Sequence, residues 1–130
     1  MTCFWDGLLA GLTKEDFTTF HLKHKPNVKA FIQLLQKSAV RTTHVVCNRT
    51  QPTEQQLTEN LEAVREFNIN TIHGGYDCST FDPFLFLVAE LFNLNITHTY
   101  LKKHVIQYNN THHEKRKLRF MSDRGHFWKI

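Results

Sequence analysis

The run from Phe84 to Phe92, FLFLVAELF, constrains this chain more than any other stretch. It follows Asp82-Pro83, a pair that reads as a helix N-cap with proline at the first helical position. The implied helix, 83–93, is apolar nearly all round. A helix with no polar face has to be covered on several sides. The remaining chain must therefore supply layers of structure around it.

It has the means to do so. The chain is 130 residues long, 41% hydrophobic and 22% charged, with eleven phenylalanines. That is a globular composition, large enough for an apolar core built on aromatic plugs. No repeat, low-complexity tract or linker divides it, so one domain over 1–130 is expected.

Before the central helix the pattern is helical. Phe4, Trp5, Leu8, Leu9 and Leu12 share one broad face, with Gly11 near the end. Thr13 with Asp16 has capping-box spacing, opening a short turn through Phe17 and Phe20. Pro26-Asn27 starts a helix whose buried stripe is Val28, Phe31, Ile32 and Leu35. Residues 40–49 read as a short strand or an extended connector. A second capping box, Thr53 with Gln56, opens a helix to about Phe67 through Leu57, Leu61 and Val64. Gly74-Gly75 marks a turn. After the central helix the period becomes two: Ile96, His98 and Tyr100, then 105–108, 118–121 and 126–130. Residues 108–117 are expected to form a polar, mobile hairpin tip. Helices followed by a mostly antiparallel sheet define an α+β fold.

The net charge is +4, with a pI near 9.1. Lys115, Arg116, Lys117, Arg119 and Arg124 supply a local excess that suits an acidic protein surface or a phosphate, or is simply a solvated loop tip. Alone it is too small to indicate nucleic acid. A further possibility is base stacking on Phe120, Phe127 and Trp128, but strand spacing favours those residues as core. The longest apolar run, 84–89, is far too short to cross a bilayer, so no membrane insertion is expected. Three cysteines without framework spacing, and no leader pattern, imply free thiols in a reducing intracellular compartment, cytoplasmic or nuclear. The sequons at Asn48, Asn95 and Asn109 are then expected to stay unmodified.

Cys3 and His126 are the residue pair most suited to chemistry. A thiol opening a helix sits at the positive end of the macrodipole, which favours the thiolate. A histidine held opposite completes a nucleophile–base pair. The plainer alternative for Cys3, beside Phe4 and Trp5, is a small buried apolar residue. Asp77-Cys78-Ser79 admits a second nucleophile, although a tight turn capping the apolar helix is the preferred account. His21-x-x-His24 and His44-x-x-Cys47 have helix-turn spacing, but without a CxxC pair no metal or other cofactor is expected.

With these residues in place, the chain resembles the ovarian-tumour (OTU) class of papain-like cysteine proteases. Thr2-Cys3-Phe4-Trp5 matches the end of that family's nucleophile motif. Gly74-Gly75-Tyr76 followed by the helix 84–92 is similar to its middle section. His126-Phe127-Trp128-Lys129-Ile130 fits its histidine strand. The resemblance implies an isopeptidase acting on ubiquitin or a similar modifier, with Cys3 as nucleophile and His126 as general base. It also implies a small viral member acting inside a host cell. Two features of the pattern have no counterpart: only Met1 and Thr2 precede Cys3, and Trp128 stands where the orienting acid or amide is common. Asp6, Asp77 and Asp123 are the carboxylates left for that role. The alternative function is an inactive binding module of the same fold that recruits a protein partner.

Overall fold

Asp82 begins the element that organises the molecule. Its carboxylate accepts hydrogen bonds from Phe84 N and Leu85 N at 2.9 and 3.3 Å, capping α4 (Pro83–Leu91). Every residue from Phe84 to Ala89 is buried. The computed structural model describes residues 2–112 and 116–130. In it α4 packs against α3 (Glu54–Glu66) and against strands β1 (Val45–Cys47), β2 (Leu94–Tyr100) and β3 (His104–Asn110).

The local start signals account for the other helices. α1 covers Cys3–Gly11 and α2 covers Val28–Lys37, where Asn27 accepts from Ala30 N at 2.8 Å. A 3-10 helix, Lys14–Phe20, carries the Thr13–Asp16 capping box, and α3 carries the Thr53–Gln56 box. A second 3-10 helix, Ile69–Gly74, is capped by Asn68. One apolar cluster joins α1, α2, α4 and the sheet, with Trp5, Phe17, Phe31, Phe86 and Phe120 fully enclosed.

The molecule is α+β, but its sheet is mixed. The order is β1-β3-β2-β4-β5, with β4 at Arg116–Ser122 and β5 at Phe127–Lys129. β2 pairs β4 in parallel; the other three pairings are antiparallel. Three expectations are corrected. The helices do not all precede the sheet, because β1 lies between α2 and α3 and borders β3. Residues 108–117 are not the tip of a hairpin of neighbouring strands: 108–110 end β3, 116–117 open β4, and β2 stands between these two strands, while 113–115 lie outside the described residues. Of the described members of the basic run, Arg124 alone lies in an exposed turn. Lys115 lies outside the described residues, while Arg116, Lys117 and Arg119 belong to β4, and Arg116 reaches Asp16 at 2.6 Å.

α1 is seated on β4 and β5 through its glycines. A Cβ on Gly7 would meet the Phe127 ring, and one on Gly11 would meet Leu118 and Phe120. Phe4 adds a ring contact to Phe127 at 4.8 Å. The start of α1 is thereby held beside the turn that precedes β5.

Candidate active-site cleft

Three segments enclose an open cleft of about 560 Å³: the start of α1 at Cys3, the loop 74–78, and the turn 122–127, with Tyr100 on one wall. Cys3 is half-buried and His126 is exposed, and both line this cleft. The ends of the chain thus contribute to a single cavity. β5 itself begins at Phe127, so His126 stands in the turn just before the strand.

Local hydrogen bonds fix each side. Thr2 Oγ1 donates to Asp6 Oδ2 at 2.6 Å across the first turn of α1. In the opposite wall, Asp123 Oδ1 accepts from Gly125 N at 3.2 Å and His126 N at 3.1 Å, and Asp123 N donates to His126 O at 2.9 Å. Two of the three carboxylates considered as orienting groups therefore have structural work: Asp6 at the helix start and Asp123 in the turn. Asp77 lines the cleft and is exposed. Trp128 is 40% exposed, which removes it from the core.

Beside Cys3 and His126 lies a second cluster, in which the sequence reading considered Cys78 but not its partners His98 and Ser122. Cys78 Sγ is 3.8 Å from His98 Nδ1, and His98 Nε2 is 2.6 Å from Ser122 Oγ. Cys78 and Ser122 line the cleft, while His98 is fully buried behind them. Burial holds the His98 imidazole down at about 4, so it is neutral near pH 7. Burial, reinforced by the charge of Asp82, pushes the Cys78 thiol up. A neutral imidazole beside a protonated thiol is a hydrogen-bonded wall rather than an ion-pair nucleophile. The signal for His98 was its place in β2: Leu94, Ile96 and His98 share the buried register.

Asp82 connects this wall to the core. It is completely buried, accepts from Tyr76 OH at 2.8 Å and Ser79 N at 3.1 Å, and its own N–H donates to Tyr108 OH at 3.0 Å. Burial raises its carboxyl above the usual range against the lowering effect of these donors. The loop containing Asp77-Cys78-Ser79 is therefore a tied turn at the head of α4.

The metal spacings lead elsewhere. His44 Nδ1 meets Glu90 Oε2 at 2.7 Å, and its ring lies 3.9 Å from that of His112. His21 ends a 3-10 helix in the left-handed region, φ 62°. Among the described residues no group of three or more His, Cys, Asp or Glu is placed to hold a metal ion, and no helix is long and apolar enough to cross a membrane.

The fold and cleft define a class in physical terms: an α+β domain with a helix-opening thiol and a turn histidine on one cavity. No family model, curated protein or solved structure matches the chain.

Proposed function

We propose that this protein is a cysteine isopeptidase of the OTU-like, papain-like type, acting on ubiquitin or a ubiquitin-like modifier. The observation that carries the reading is the shared cleft of Cys3 and His126. The open cavity suits an extended peptide tail, and the first-turn amides of α1 lack intrahelical partners, which offers donors to an oxyanion.

In the proposed reaction His126 takes the Cys3 proton and the thiolate attacks the carbonyl carbon of the isopeptide bond. The C–N bond breaks, and the imidazolium returns its proton to the departing lysine amine. Water, deprotonated by His126, then attacks the thioester; the modifier leaves as a carboxylate and the thiol is regenerated. The Cys78–His98–Ser122 wall holds the cleft's shape.

The test is labelling by a ubiquitin-derived probe with a C-terminal electrophile, comparing wild type with Cys3→Ala and His126→Ala. Label on wild type that is lost in Cys3→Ala supports the reading. A folded wild type that takes no label favours the second reading, a binding module without hydrolysis. That alternative draws support from Asp6 and Asp123, whose carboxylates are engaged by the Thr2 hydroxyl and by the Gly125 and His126 amides.

A further inference from the structure

Between Asp16 and Glu54 the chain has no acidic residue, yet it carries Lys23, Lys25, Lys29, Lys37, Arg41 and Arg49. The net positive charge of the whole protein originates in this segment, because acids outnumber lysines and arginines over the rest. Arg41 pairs with Glu54, and the Lys25 ammonium donates to the Leu9 carbonyl near the end of α1. Lys23 and Lys37 have no acidic partner among the described residues.

These lysines border a groove of about 520 Å³. Leu22 and Pro26 form one side and Ala30 and Leu34 of α2 the other, all half-buried. The groove shares no residue with the Cys3–His126 cleft. Ala30, Leu34 and Lys37 lie on one stripe of α2, giving a length of about 10 Å at the helical rise per residue. That length accepts two apolar side chains from successive turns of a partner helix.

We propose that the α2 groove binds an acidic amphipathic helix of a partner protein, its apolar side chains entering between Leu22 and Leu34 and its carboxylates facing Lys23 and Lys37. Charge complementarity selects an acidic occupant. Concavity selects a polypeptide, since a membrane surface is met by protruding apolar side chains rather than by a recess. No Phe, Tyr or Trp lines the groove, so it gives a nucleic acid no aromatic platform on which to stack bases.

The experiment is fluorescence anisotropy of the full chain with a labelled helical peptide bearing a leucine stripe and glutamate elsewhere. Its controls are the same peptide with lysine for glutamate, the same with alanine for leucine, and phosphatidylserine-containing vesicles. The acidic leucine peptide is expected to bind, with both peptide controls at least about tenfold weaker. Lys23→Glu with Lys37→Glu, both exposed, should weaken binding about tenfold, as should high salt; circular dichroism of the double variant confirms that α2 is retained. Leu34→Asp should abolish it, and Cys3→Ala should leave it unchanged. Equal binding of the lysine peptide, indifference to the lysine substitutions, or retention by vesicles but not by the peptide overturns the proposal.

Discussion

Gly7 of α1 and Phe127 of β5 are in contact so close that a Cβ built on Gly7 would stand 2.7 Å from Phe127 Cδ1. This approach brings the helix that begins with Cys3 onto the strand that follows His126. Alanine at position 7 would gain about 1 kcal/mol of helix propensity, but overpacking typically costs 1–3 kcal/mol. Gly7→Ala is expected to lower stability by roughly 1 kcal/mol and to slow probe labelling at Cys3. In Gly7→Ala/Phe127→Leu the two losses should be less than additive, measured by urea unfolding. Strict additivity would show that this contact does not set the helix position.

The thiols should differ in reactivity. Cys3 opens a helix at the cleft, whereas burial raises both Cys47 and Cys78 above the ordinary thiol range. Under limiting iodoacetamide near neutral pH, peptide mapping is expected to find Cys3 alkylated first. Faster modification of Cys78 would contradict the neutral, walled-in pair it forms with His98.

His98 makes stability depend on pH. Its folded-state value near 4 lies below the usual 6.5, so the unfolded chain binds the proton more readily between these limits. Stability should therefore fall as pH drops from about 6.5 toward 4, by at most about 3 kcal/mol from this residue. Asp82, whose carboxyl is raised, acts in the opposite sense. The informative quantity is the difference between wild type and His98→Gln. Stability measured across the window should give a shallower acid-side decline in the variant, and parallel curves would remove His98 as the cause.

The β2–β3 turn holds two residues in the left-handed region, Leu101 (φ 53°) and Lys102 (φ 59°), without glycine. The connection is three residues, 101–103, because Tyr100 pairs with His104, and positive φ at two successive positions favours glycine. Lys102 is exposed, so Lys102→Gly is expected to stabilise by about 0.5–1 kcal/mol. Thermal unfolding checks this; a lower midpoint would mean that the lysine side chain contributes more than the strain removes.

What could be read from the sequence was local. The boxes at Thr13–Asp16 and Thr53–Gln56, the Asp82-Pro83 start and the nearly all-apolar α4 need only neighbours a few residues away, and each is present. Strand pairing was less legible. Period two puts Ile96 and His98 on one face but does not say that β4 returns parallel to β2, or that β1 attaches to β3. The 3-10 helix at Ile69–Gly74 was hidden because Gly74-Gly75 carried only a turn signal. In the cleft, Cys3 opens α1 and His126 immediately precedes β5, both recognisable positions, whereas Cys78–His98–Ser122 exists only once a loop and two strands have come together.

Asp82 caps the greasy central helix with one oxygen and tethers Tyr76 and the Ser79 backbone with the other. A single carboxylate is thus a shared hinge-pin for the interior and for the rampart opposite Cys3. Loosening it would unseat both together, so at this point in the fold evolution has no way to retune the cavity without also renegotiating how firmly the whole domain holds.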